Sequence, residues 1–215
     1  MTIKNDMPLI TKPYREQAGA WPASGRHIMA QYDEDSIVVY QAYTPSIARY
    51  AAARGRLGGG FKRDRMTWIK PNFLWMMYRC GWATKERQER VLAIRLTREG
   101  FEEILAHAVH SAYVEGVYEN EEQWRTASRD SDVVMQWDPD HGPMGEKLER
   151  RAVQLGLRGD TLARYVDDWV VGIEDITDFV HEQSGNAVAE RRDRLMTPWE
   201  RVYDVRADDV RKRVL

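Results

Sequence analysis

From Arg65 to Trp82 the chain reads RMTWIKPNFLWMMYRCGW, with Pro71 set between Thr67-Trp68-Ile69 and a run of large apolar residues from Phe73 to Met77. Proline has no amide to give a sheet and is not tolerated inside a helix, so a strand ends before it and a helix begins after it. Asn72 is placed to cap that helix, which carries Phe73 to Arg79. The segment also crowds Trp68, Trp75 and Trp82 among Arg65, Lys70 and Arg79. Indole faces with guanidinium forks suit planar, anionic ligands such as nucleotides. The alternative is an aromatic core segment whose cationic stems reach out to water.

The other elements follow from periodicity. Ser36-Ile37-Val38-Val39-Tyr40-Gln41-Ala42-Tyr43 is β-branched and aromatic and follows the turn-like Asp33-Glu34-Asp35, which predicts a central strand. Thr44-Pro45 starts a short Ala-rich helix to Arg54, ended by Leu57-Gly58-Gly59-Gly60. Further strands are expected over 91–96, 133–137, 151–157 and 173–177, and amphipathic helices over 98–110 and from 160 to 170. Asp138 to Pro143 reads as a loop and the polar stretch 113–132 as a surface helix. This order predicts an α+β single domain over 26–181, with a central mixed or antiparallel sheet flanked by helices. An irregular arm (1–25) precedes it and a polar C-terminal extension (182–215) follows.

Net charge is only −2, so the charge of the whole molecule selects no partner. Its distribution does more: from Arg54 to Arg98 twelve basic residues stand against Asp64, Glu86 and Glu89. A basic centre in an acidic frame suits a phosphate-bearing ligand, although solvated helix faces collect charge too. The single cysteine, Cys80, forms no internal disulfide, which fits a reducing cytoplasm. The absence of an apolar run near 20 residues predicts no membrane span. Glu103, His107 and His110 have a spacing that can join metal ligands on a helix face, but no further ligand has a matching context. The glycine run lacks the Gly-Lys-Ser/Thr that follows a phosphate loop and reads as a connector or lid hinge carrying Lys62 and Arg63.

The phrases IVVYQAY, FKRDRMTWIKPNFLWMMYRCGW and VVMQWDP, in this order, resemble the family catalogued as domain of unknown function 4291, from about Arg26 to Thr177. The chain departs from the family phrase at Met29, at Asn72 after Trp-Ile-Lys-Pro, and at Asp140-His141. Its layout is also similar to the ADP-ribosyltransferase superfamily. That similarity implies an NAD-using transferase acting on a nucleic acid, nucleotide or protein, with NAD as a substrate rather than a resident cofactor. On that resemblance Gln41 takes the place of a motif histidine, Thr67 with Asn72 marks the second motif region, and Asp138 or Asp140 replaces the usual glutamate. Arg65 and Lys70 would then anchor the pyrophosphate, with Lys62 and Arg63 over it and Trp68 or Tyr40 stacked on nicotinamide. A carboxylate beside the ribose would stabilise positive charge developing at the sugar. The competing expectation is a non-catalytic nucleic-acid-binding module whose basic segment tracks phosphates while tryptophans stack on bases. Convergence of Arg65, Lys70 and a carboxylate of the 138–140 segment in one cleft favours the enzyme.

Overall fold

Ser36–Tyr43 forms a strand whose first six residues are buried, as an unbroken β-branched run requires. It pairs antiparallel along its whole length with Arg90–Thr97, which pairs in turn with Val170–Asp175. A second, mixed sheet is built on the long strand Lys147–Leu157, flanked antiparallel by Val133–His141 and Thr67–Ile69. Gly25–Arg26 joins that long strand in parallel, and Ala108–His110 lies parallel on the outer side of Val133–His141. In this computed structural model, which describes residues 9–215, the two sheets meet where Tyr40 and Lys70 exchange backbone hydrogen bonds of 2.7 and 3.3 Å.

Alternation along the first strand sorts its side chains into two cores. Ile37 and Val39 join Leu92, Ile94, Met135, Val153 and Leu155, closed by Phe101, Ile104 and Leu105 of the helix Arg98–His107. Val38 and Tyr40 point the other way, onto Phe73, Met76 and Met77 of the helix Phe73–Cys80 and onto Val180. The molecule is one α+β domain. No helix among the described residues is long and apolar enough to cross a membrane.

Several sequence expectations change. The expected 138–143 loop is mostly strand: Val133–His141 runs on through Pro139, with a register shift before His141. Ala108–His110 ends opposite Met135, so the proline falls where that side of the strand is unpaired and a missing donor is tolerated. The helix from 160 is α-helical over Gly159–Arg164 and then widens into a π-helical turn, Tyr165–Trp169. The ends are not loose. Thr11–Pro13 pairs with Met196–Pro198, Tyr14–Ala18 is helical, and Tyr203, Val205, Val210 and Val214 lie in the main core. These apolar residues are too sparse for a visible period, yet long-range pairing buries them. The part of the expected arm on residues 1–8 lies outside the described residues.

Candidate functional site

The junction at Pro71 builds the site. Asn72 is the N-cap of the Phe73–Cys80 helix, its Oδ1 accepting from the Trp75 amide at 2.6 Å. Glu200, from the C-terminal segment, reaches the same helix end. It accepts from the Phe73 amide at 2.6 Å and from Asn72 Nδ2 at 3.2 Å. Burial pushes the Glu200 carboxyl well above the usual carboxylate range, against the pull of the Phe73 amide. The helix start is thus fixed, and with it Arg79 in the last turn and Lys70 just before the proline.

Beside this junction lies a cleft of about 730 Å³ between the two sheets, within the range that encloses a small-molecule ligand. Its floor is a buried polar network. Gln41 donates to Thr67 Oγ1 at 2.8 Å and to the Trp68 carbonyl at 3.1 Å, and Tyr165 donates to Gln41 Oε1 at 2.7 Å. The Tyr43 hydroxyl lies 3.3 Å from Thr67 Oγ1. Burial raises the phenols of Tyr165 and Tyr43, so both stay protonated. The π-helical turn is what delivers Tyr165 to Gln41; such turns recur at functional sites.

The far wall carries Asp138, held by two glutamine amides. Gln136 donates to Oδ1 at 2.9 Å and Gln154 to Oδ2 at 2.8 Å. Strand geometry explains the clamp: Gln136 and Asp138 share a face two residues apart, and Gln154 lies directly opposite Gln136 on Lys147–Leu157. Asp138 makes no ion pair among the described residues. Above it the cleft is cationic, lined by Lys62, Arg65, Lys70, Arg79 and Arg87. Lys70 is only 6% exposed. Burial, reinforced by Arg79, lowers its amine to about 8, against the opposite influence of Cys80 and Asp138.

Seven of the residues expected at the site therefore converge: Gln41, Thr67, Trp68, Arg65, Lys70, Lys62 and Asp138 all line the cleft. Four do not. Tyr40 is wholly buried and packs edge-on to Phe73, 5.5 Å between ring centres, so it presents no face to a ligand. Asn72 is spent on the helix cap. Arg63 pairs with Asp167 at 2.6 Å outside the cleft. Asp140 is wholly buried and takes two hydrogen bonds from Arg150, at 2.9 and 2.6 Å, plus the His141 amide. Plain alternation would leave Asp140 on the face of Gln136 and Asp138; the register shift between Pro139 and His141 breaks it and turns Asp140 into a structural ion pair, where burial raises its carboxyl against the pull of Arg150.

The expected lid reading also weakens. A Cβ at Gly58 or Gly59 would come within 2.4 or 2.5 Å of the Tyr50 side chain, and Gly59 and Gly60 have φ of +61° and +104°. Close approach and backbone conformation account for the glycines without motion. Of the three tryptophans only Trp68 reaches the cleft, while Trp75 is buried and Trp82 packs on Phe73. The helix expected over 98–110 stops at His107 and Ala108–His110 is strand, so Glu103, His107 and His110 do not share a helix face; Glu103 pairs with Arg164, and the His110 ring nitrogen Nδ1 lies 3.1 Å from the Tyr118 hydroxyl. Sequence reasoning missed Tyr43, Tyr165, Gln136, Gln154 and Arg87. The i, i+2 spacing of Gln136 and Asp138 was a signal for the first glutamine once 133–141 is a strand.

The family model described as Domain of unknown function (DUF4291) matches residues 27–203, and the chain belongs to that family. A search of curated proteins finds no match.

Proposed function

We propose that this family member binds a dinucleotide of the NAD type in the cleft and cleaves its nicotinamide–ribose bond, passing ADP-ribose to a nucleic acid, nucleotide or protein acceptor. The observation that carries this reading is Asp138, a carboxylate clamped by two neutral amides inside an otherwise cationic cleft. A surface that only bound phosphates would gain nothing from a fixed negative charge among its arginines. A reaction that builds positive charge at a sugar would, because the carboxylate acts on the transition state more than on the bound substrate. The glutamines orient Asp138 without neutralising it, so no reorganisation is needed as charge develops.

The remaining side chains fall into roles. Arg65 and Arg79, exposed at the rim, reach the pyrophosphate with forked, charge-assisted hydrogen bonds. Trp68, half-buried on the wall, offers an apolar face to a planar ring. The Gln41, Thr67 and Tyr165 network makes a rigid polar floor for ribose hydroxyls.

The test is nicotinamide release from NAD with RNA, DNA and protein acceptors supplied in turn. Asp138→Asn is expected to lower release by at least about 100-fold while NAD affinity stays within about 3-fold, the pattern for a group that acts on the transition state alone. A wild-type protein that releases no nicotinamide with any acceptor removes the proposal.

A further inference from the structure

Lysine is among the residues least often buried, because its stem easily carries the ammonium to water. Lys70 is an exception: it lines the cleft at 6% exposure, and its amine enters no hydrogen bond or ion pair among the described residues. Phosphate binding does not require that depth, since Lys62, Arg65, Arg79 and Arg87 are exposed around the same cleft and serve as anchors from the rim. The backbone of Lys70 is pinned to Tyr40 at the junction of the two sheets, and Pro71 follows at once, so the amine is held on a rigid base.

We propose that Lys70 is the nucleophile that first receives the ADP-ribosyl group, so that transfer runs through a covalent enzyme adduct; this rests on the NAD reading above. In the first step the lysine nitrogen forms a bond to C1′ of the nicotinamide ribose. The C1′–nicotinamide bond breaks, its electron pair leaves with nicotinamide as the neutral base, and one amine proton passes to Asp138. In the second step the acceptor's nucleophile attacks C1′ from the opposite side. The lysine nitrogen departs with its bonding pair and takes a proton back from Asp138, while the acceptor loses its own proton to solvent. Two displacements at one carbon retain its configuration.

The housing of the amine supplies what the first step needs. Only a neutral amine attacks, and an exposed lysine is neutral about once in a few thousand molecules at pH 7. The groups facing Lys70 are Arg79 and Cys80 of the adjacent helix and Asp138 across the cleft; with burial, their sum brings the amine to about 8. At that value about a tenth is neutral at pH 7.

The full chain is mixed with NAD without acceptor and quenched within one turnover into cyanoborohydride, which reduces the ring-opened adduct to a stable secondary amine. Peptide mass spectrometry is expected to place one ADP-ribosyl group on Lys70 and none on the exposed Lys62 and Lys85, and the label is lost in Lys70→Met. Transfer by wild-type protein is expected to retain configuration at C1′, a readout that does not depend on how the variant folds. Nicotinamide release with Lys70 unlabelled, or inversion at C1′, overturns the nucleophile while leaving the NAD reading standing. No release at all takes both down.

Discussion

Replacing Lys70 with methionine should make the protein more stable, and by an amount the structure sets. Methionine has a similar unbranched length and fills the same channel, so little packing is lost. What disappears is the cost of holding a charged amine at 6% exposure. The folded-state value of about 8, against an ordinary 10.5, corresponds to about 3 kcal/mol of destabilisation. The sign follows from proton binding: between 8 and 10.5 the unfolded chain holds the proton and the folded one does not, so raising the pH favours folding. The cost is therefore fully present below pH 8 and fades as pH rises to 10.5. For a chain of this length about 3 kcal/mol is a rise of about 6 to 12 °C in melting temperature. Urea denaturation in phosphate-free buffer from pH 6 to 10.5 measures it directly. The variant is expected to lead at pH 7 and to lose that lead by the top of the range. Equal stability at pH 7, or a gap that does not change with pH, refutes the claim that Lys70 is buried as a strained cation.

Other outcomes test the surrounding assignments. Asp140→Asn should cost about 3 kcal/mol in denaturation experiments, since it leaves the Arg150 guanidinium buried against a neutral partner; a loss below about 1 kcal/mol would refute the structural role given to Asp140. Arg65→Ala should weaken NAD binding about 10- to 100-fold by calorimetry with no change in melting temperature, as loss of charge-assisted hydrogen bonds at an exposed site predicts. Gly59→Ala should destabilise by more than about 1 kcal/mol because of its positive φ and the Tyr50 side chain. Hydrogen exchange over Leu57 to Arg63 should be the same with and without NAD; protection that appears only with ligand would restore the lid.

The local half of this site could be read from the chain. Pro71 and Asn72 dictate a strand-to-helix junction whatever surrounds them, and the cations beside it were visible as Arg65 and Lys70. The chain also carries the strand Ser36–Tyr43 openly, because its β-branched run has no other use. The opposite wall was not legible. Choosing between Asp138 and Asp140 depends on knowing that Val133–His141 continues as a strand past a proline and that its register shifts between Pro139 and His141, since a regular strand would put both carboxylates on one face. Gln154 enters only through its register with Gln136, and its separation of 16 residues from Asp138 leaves no local sign of their hydrogen bond. Tyr165 looked like one more apolar helical position until a π-helical turn aimed its hydroxyl at Gln41. Tyr40 was misplaced for the converse reason, since an aromatic on a strand next to a site residue necessarily faces the other way.

The carboxylate of Glu200 sets a timetable for making the protein. Its hydrogen bond to the Phe73 amide closes a span of 127 residues, so the helix that positions Arg79 has an incomplete start until the C-terminal segment has left the ribosome. At ordinary rates of synthesis that interval is on the order of 10 s. During it the apolar face of Phe73, Met76 and Met77 waits beside an unclosed end. A nascent chain halted before Glu200 would thus hold the cleft's sequence but not its shape, and ligand binding would arrive last, with the closing of the chain on itself.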